Sequence, residues 1–423
     1  MTISFIPLRL FKREGLRIPS KVVSNLRLMI ENFMKDVKLG ILLYSLVPCH
    51  LFIAYVIELA AAQQAKGALG RDKRDEASEG VSVRRRQGLL DAWPAWRIIA
   101  LAHGVNATLC LGVSTATVYW YIHHPLIGTL CELHAIMVWL KNCSYALTNR
   151  DLRQRYLDPN IGAPLPTIYS SCPYPQNITI GNLSYFWWAP TLVYQPVYPR
   201  TPRIRWSFVA KRVIEVAALS MFIWVASAQY AAPVLRNSLA KMQTFDITSI
   251  LERLMKLSTI SLVIWLAGFF ASFQSALNGL AEVMKFADRE FFRDWWNSPS
   301  VGAYWRTWNK PVYTFMRRHI YSPLLERGWS PHIASVAVFF FSGVLHELLV
   351  GIPTHNIIGV AFFGMLVQIP LIASTAPLEK MQGPNGKIIG NTIFWVSFCL
   401  VGQPLAALLY FFAWQAKYGS DLK

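Results

Sequence analysis

The chain has 423 residues, of which 54% are hydrophobic, 13% aromatic and only 15% charged. Soluble domains carry about 25% charged residues, so a single soluble core of this size is excluded, as are disordered, collagen-like and small disulfide-stapled chains. The net charge of +18 sits in loops between apolar runs. That pattern fits a polytopic membrane protein whose basic loops meet anionic head groups and ligand phosphates, and it argues against nucleic acid as a partner.

The N-terminal stretch MTISFIPLRLFKREGLRIPSKVVS has no uninterrupted apolar run and no small-residue cleavage site, so it does not read as a secretory signal. A bilayer crossing needs about 20 apolar residues, and eight stretches qualify: 41–60, 98–122, 126–147, 213–235, 257–283, 333–352, 356–376 and 391–413. The stretch 61–97 is polar and reads as a linker, 148–212 is Pro-rich and aromatic, and 284–332 is dense in Trp, Arg and Asn. No internal repeat is visible.

With eight spans, loops 61–97, 148–212, 284–332 and 377–390 share one side, and the first three carry eight Lys or Arg each. The opposite loops (123–125, 236–256 and 353–355) carry four between them, which places the long loops in the cytosol and the C-terminus in the lumen. Residues 1–40 disagree, with eight basic residues against three acids on the luminal side. Two readings repair the parity: a ninth, degraded first span, or an amphipathic segment at 25–40 lying in the interface. The expected organisation is therefore a basic segment over 1–40 followed by one integral membrane domain over 41–423. The fold class is all-α, with eight or nine transmembrane helices around a central polar chamber and short cytosolic helices along the interface.

In the span IASVAVFFFSGVLHELLVGI only His346 and Glu347 can ionise. Ionisable groups at membrane depth are costly and point to function unless they pair structurally to join two helices. The following span carries Gln368 in GMLVQIPLIA, and the last carries Gln403 in FCLVGQPLAALLY. Each precedes a Pro, which loosens the helix locally. The three residues suit an enclosed polar cavity, or else interhelical hydrogen bonding. Residues 286–323 combine five Arg with Trp295, Trp296, Trp305 and Trp308. That mixture suits an interfacial belt and equally a phosphate-bearing ligand. Six cysteines (Cys49, Cys110, Cys131, Cys143, Cys172 and Cys399) lack CxxC spacing and read as small hydrophobes, so no metal is expected.

At this point the motifs resemble a family. FFRDWWN (Phe291–Asn297) is similar to the FYxDWWN signature of the sterol and diacylglycerol branch of the membrane-bound O-acyltransferases. WNKPV (Trp308–Val312) resembles that branch's WNxPVH element, and SGVLHELLVGIP resembles the span holding its histidine. APTLVYQPVYPRTPRIR (Ala189–Arg205) and GQPLAALLYF resemble two further elements, in the same order, across about 126–413. The resemblance implies acyl transfer from acyl-CoA, as co-substrate rather than cofactor, onto a lipid hydroxyl. It implies His346 as catalytic base, Asn309 as second active-site residue, and Glu347, Gln368 and Gln403 as supporting residues of the chamber. Phe291, Phe292, Arg293, Asp294, Trp295, Trp296 and Asn297 would lie on the acyl-CoA side.

PRTPRIR and QIPL favour diacylglycerol as acceptor, whereas RTWN (Arg306–Asn309) also occurs in the sterol branch. A lipid transporter or scaffold using the polar cavity without chemistry is the reading from a different class, and it would be expected to show repeats. The resemblance further implies endoplasmic reticulum residence and a homo-oligomer, dimer or tetramer, among membrane lipids. Two positions depart from the pattern. Phe292 stands where Tyr is usual, and Tyr313 stands where His commonly follows PV.

Overall fold

The computed structural model describes residues 20–76, 93–158, 165–235, 247–381 and 384–418. Among these, regular structure is helical throughout, and the one β contact is an antiparallel bridge between Arg200 and Phe286. The helices are α1 (Ser20–Leu46), α2 (Cys49–Glu76), α3 (Trp93–Tyr121), α4 (Pro125–Leu157), α5 (Ile180–Trp188) and α6 (Trp206–Ala226). They continue with α7 (Ile247–Phe269), α8 (Leu277–Val283), α9 (Val301–Thr307), α10 (Lys310–Met316) and α11 (Pro331–Gly351). The last are α12 (Val360–Leu366), α13 (Gln368–Lys380), α14 (Pro384–Val396) and α15 (Gln403–Tyr418). Wider π-helical turns at Ser227–Ala231, Phe270–Ala276, Arg317–Tyr321 and Ser397–Gly402 extend or join these helices. Such turns recur at functional sites.

Six described stretches are long and apolar enough to cross a bilayer: Ile30–Leu69, Trp96–Tyr121, Leu254–Val283, Pro331–Gly351, Val360–Lys380 and Asn385–Trp414. The expected spans 126–147 and 213–235 are helical but are not among them. The first lies in the 33-residue α4, about 50 Å long at 1.5 Å per residue. Glu132, His134, Lys141, Asn142, Asn149 and Arg153 of α4 are all buried, so its polar groups face protein rather than lipid.

The expected span 41–60 straddles two helices, because Val47 and Pro48 form a turn between α1 and α2. An unbroken apolar run hides that turn, although Pro removes the donor that would continue the helix. Residues 61–76, expected as linker, extend α2, and 377–380 and 384–390 are helical as well. Helices here simply outrun their apolar stretches. Of the rest of the expected linker, 93–97 open α3 and 77–92 lie outside the described residues, as do residues 1–19 of the basic N-terminal segment and 236–246 of the loop expected on the luminal side.

The parity question of the N-terminus acquires a physical form. α1 is a separate helix docked on α4: Asp36 Oδ2 accepts the backbone N–H groups of His123 (3.0 Å) and His124 (2.8 Å), which precede α4. Tyr44 of α1 stacks on His134 with ring centroids 3.7 Å apart.

Beneath α1, the helices α2, α3 and α4 are joined by charge. Glu58, fully buried, accepts from His103 Nε2 at 2.9 Å and from Arg153 at 2.7 Å. The Arg153 guanidinium also lies over the Trp96 ring, 5.0 Å from its centroid. Lys141 spends all three ammonium donors on the carbonyls of Phe186 (2.8 Å), Trp187 (2.9 Å) and Ala189 (2.8 Å). These are carbonyls at the end of α5, which the helix itself leaves unpaired. A buried lysine thus caps a neighbouring helix.

Candidate active site

Pro331 opens α11 and Ser330 caps it, its Oγ accepting the Ile333 N–H at 3.3 Å. Consecutive residues of a helix point about 100° apart, and this separates His346 from Glu347. Gly343, Glu347 and Gly351 form one stripe, and it meets α12. A Cβ on Gly343 would stand 2.9 Å from a ring carbon of Phe362, so only glycine allows this approach. Glu347 Oε1 accepts the Gly359 N–H (2.9 Å), while Oε2 accepts the Phe362 N–H (3.2 Å) and the Tyr410 hydroxyl (2.8 Å). Gly359 adopts a left-handed φ of 76° at the start of α12. The carboxylate of Glu347 therefore joins α11, the first turn of α12 and α15, and both its oxygens are satisfied.

His346 is in a different situation. Its Nδ1 lies 2.7 Å from the Ser342 carbonyl oxygen. A carbonyl only accepts, so Nδ1 carries the proton and the neutral ring keeps its lone pair on Nε2. Nε2 makes no hydrogen bond with any described residue. The ring is half-buried, and an acceptor hydroxyl approaching it would find a positioned, unoccupied base.

Asn309 caps α10, its Oδ1 accepting the Val312 N–H at 3.1 Å. Because the oxygen must face that N–H, the amide Nδ2 points elsewhere and has no partner among the described residues. The residue is held on both sides by a backbone pairing. The Arg293 N–H donates to the Thr307 carbonyl (2.8 Å), and the Lys310 N–H donates to the Phe291 carbonyl (2.9 Å). FFRDWWN therefore runs directly alongside WNKPV. Phe315 and Met316 of α10 share a buried cluster with Leu345, the residue before His346, and with Leu140 and Val193.

The seven residues Phe291–Asn297 divide into two sets. Phe291 and Trp295 are buried, whereas Arg293, Asp294, Trp296 and Asn297 are exposed. Trp295 packs edge-on against Trp265 and Phe269, and Phe292 packs on Phe269. The usual tyrosine ring at Phe292 is thus replaced by another ring in a packing role. Arg293 pairs with Glu290 and holds that carboxyl below the usual carboxylate range. Burial pushes the Tyr304 hydroxyl up, keeping it protonated within the same aromatic cluster.

Gln368 sits at the start of α13, where its Oε1 accepts the Trp305 indole N–H at 3.2 Å. Trp305 also packs edge-on against Phe339 of α11, on the same face as His346 two turns away. Gln403 begins α15, and its side chain lies outside the described residues. The structure thus gathers α9, α10, α11 and α13, gives Trp305 of the aromatic loop a partner in Gln368, and adds Tyr410, which sequence reading did not single out. Tyr410 stands seven residues after Gln403 on a helix, hence on one face with it, and that spacing was the available signal.

Two more motifs are stitched together at the edge of the site. The Thr201 N–H donates to the Lys285 carbonyl (2.8 Å) and the Ala287 N–H to the Pro199 carbonyl (3.0 Å), which makes the bridge at Arg200 and Phe286. Beside it, the buried carboxylate of Glu282 accepts from the backbone and the guanidinium of Arg205 and from Arg289. No group of three or more metal-binding side chains occurs among the described residues. An apolar groove of about 510 Å³ between α3, α4 and α11 is lined by Leu348 and Ile352, on the face of α11 turned away from His346.

The comparisons with known proteins agree with this layout. The sequence profile of the membrane-bound O-acyltransferase family matches residues 169–412, which includes every site residue above. Diacylglycerol O-acyltransferase 1 of Dictyostelium discoideum is 35% identical over 373 residues, covering 88% of this chain and 54% of that protein. Diacylglycerol O-acyltransferase 1C of Glycine max is 39% identical over 314 residues (74% and 60%). Diacylglycerol O-acyltransferase 1 of Arabidopsis thaliana is 38% identical over 295 residues (70% and 54%). The chain spans somewhat more than half the length of these relatives.

Proposed function

The chain belongs to the membrane-bound O-acyltransferase family, and from that membership we propose that it transfers the acyl group of acyl-CoA to the free hydroxyl of diacylglycerol, forming triacylglycerol. The observation that carries the reading is the unpartnered Nε2 of His346, whose tautomer is set by the Ser342 carbonyl. The names of its relatives support the acceptor.

The chemistry asks for little, because a thioester is already activated. His346 Nε2 takes the proton of the acceptor hydroxyl as its oxygen attacks the thioester carbonyl. The tetrahedral oxyanion then collapses, the C–S bond breaks, and the imidazolium returns its proton to the departing CoA sulfur. Such general-base assistance is typically worth ~10²–10⁴ in rate. The free Nδ2 donor of Asn309 is suited to the developing oxyanion. Gln368 and Trp305, which meets Phe339 on the His346 face of α11, are assigned to the chamber wall. The exposed Arg293 and Trp296 suit the phosphates and base of CoA. No further cofactor enters the reaction.

The acceptor and product are both lipids, so they enter and leave laterally while CoA stays beside the basic loops. We place those loops in the cytosol, the C-terminus in the lumen of the endoplasmic reticulum, and the chain in a homo-oligomer. The test uses membranes from cells lacking neutral-lipid synthesis, expressing this chain and given labelled oleoyl-CoA with diacylglycerol or with a sterol. Triacylglycerol is the expected product. Steryl ester would keep the mechanism and overturn the acceptor, and neither product would overturn the reading.

A further inference from the structure

One contact outside the site ties three of its supports together. On α4, Ser144 Oγ accepts the backbone N–H of Tyr194 at 2.9 Å and lies 2.8 Å from Nε2 of His319. The same hydroxyl therefore hydrogen-bonds both the Tyr194 backbone and the His319 ring. Tyr194 belongs to the segment that Lys141, one helical turn before Ser144, holds through the Ala189 carbonyl. His319 lies in the π-helical turn Arg317–Tyr321 that continues α10, and its ring packs on Phe315 with centroids 4.9 Å apart. α10 is the helix that Asn309 caps, and its Phe315 and Met316 share the apolar cluster of Leu345. A short polar chain therefore runs from the α4 scaffold to the far end of the helix bearing Asn309.

We propose that His319 is a positioning residue: through Ser144 it anchors the end of α10 and so fixes where Asn309 stands relative to His346. α10 continues through the π-helical turn into a last helical stretch, Ser322–Glu326, and the backbone pairing holds only its Asn309 end. The other end needs a fixed point, and His319 is the polar side chain there that reaches α4. Burial, with Arg318 and Arg150 nearby, lowers its pKa to about 3, so the ring stays neutral under assay conditions and serves as an anchor rather than in proton transfer. The inference rests on the acyl-transfer reading, because Asn309 needs a position only if it serves the reaction.

The test compares His319→Leu, His319→Gln, Ser144→Ala and the Ser144→Ala/His319→Leu double variant as purified full chains, with oleoyl-CoA and diacylglycerol. A misplacement of about 1 Å can cost on the order of 100-fold in rate, so His319→Leu and Ser144→Ala are expected to lower kcat about 10- to 100-fold with KM for oleoyl-CoA within about twofold. The double variant should be no worse than either single variant, as for residues acting through one contact. His319→Gln, whose amide reaches the place of Nε2, should recover most of the rate. Thermal unfolding of each variant checks that the fold is intact. Full turnover in His319→Leu, a loss confined to KM, strictly multiplicative single effects, or no recovery with Gln in a stable protein would overturn the proposal. A wild type inactive on both diacylglycerol and sterol would instead contradict the acyl-transfer reading and take the positioning role with it.

Discussion

The helices α2, α3 and α4 and the helices α11, α12 and α13 both hold ionisable groups within apolar surroundings, yet they treat them in opposite ways. In the first group the two central charges are saturated: Glu58 has an arginine and a histidine partner, and Lys141 has three carbonyls, while His103 Nδ1, Glu132 Oε2 and His134 Nε2 are buried without a partner among the described residues. In the second, Glu347 is equally saturated, but the rotation of about 100° between consecutive helical residues leaves His346 with a free Nε2. A buried polar group with every donor or acceptor met acts as structure, while one fixed on one side and open on the other is available for chemistry. Ionisability alone does not separate the two. Unspent hydrogen-bonding capacity narrows the choice, and since His103, Glu132 and His134 also keep an unpartnered atom, the packing of α11 against the α10 cluster that follows Asn309 is what singles out His346.

That contrast can be broken by substitution. The largest effect on stability is expected for Arg153→Met, which leaves Glu58 ionised and half-partnered; breaking a buried pair typically costs ~3–5 kcal/mol. A thermal unfolding midpoint equal to wild type would show that the first group is not held by its charges. Asn309→Ala sharpens the comparison from the other side. Loss of the cap costs about 1 kcal/mol, whereas loss of an oxyanion donor costs ~10²–10³ in kcat, so turnover should fall far more than stability. Proportional losses in both would return Asn309 to a purely capping role.

Lys141→Met comes next, removing the donors from three carbonyls at the end of α5. About 1–3 kcal/mol is expected from the unmet acceptors, read as a lower unfolding midpoint with KM for acyl-CoA unchanged.

The last of these tests concerns pH, where the effect near neutrality is small and grows only as the solution is acidified. The folded pKa of His319 is lowered from 6.5 to about 3, so between those values the unfolded chain binds a proton that the folded chain does not. Its contribution to stability is fully present above about pH 6.5 and is lost as pH falls toward 3. His319→Gln should flatten that part of the stability curve, and an unchanged curve would contradict the buried neutral ring.

Much of this was legible in the sequence, and the exceptions have physical causes. Apolar runs of about 20 residues locate helices well, but the turn at Val47 and Pro48 lies inside one such run, and α2 continues through residues that read as linker. The HE dipeptide stood out because nothing else in its span ionises. Its division of labour did not, because that depends on which helix meets which face of α11. Glu58, Glu132 and Lys141 obey the same rule of costly charge at membrane depth, and they escaped notice because their partners lie 17 to 95 residues away in sequence or are plain backbone carbonyls. FFRDWWN read as a ligand surface, yet the structure places Phe291 and Trp295 in the core and leaves the polar positions outside. Motif similarity alone does not separate packing residues from contact residues.

The most direct test of the contrast measures turnover and unfolding midpoint together for His346→Ala. The side chain has one internal hydrogen bond, to a carbonyl of its own helix, so its removal should leave the midpoint near wild type while acyl transfer from oleoyl-CoA falls by ~10²–10⁴. Transfer at the wild-type rate, or a fall in midpoint as large as that of Arg153→Met, would contradict the claim that His346 is the group this fold leaves open for chemistry.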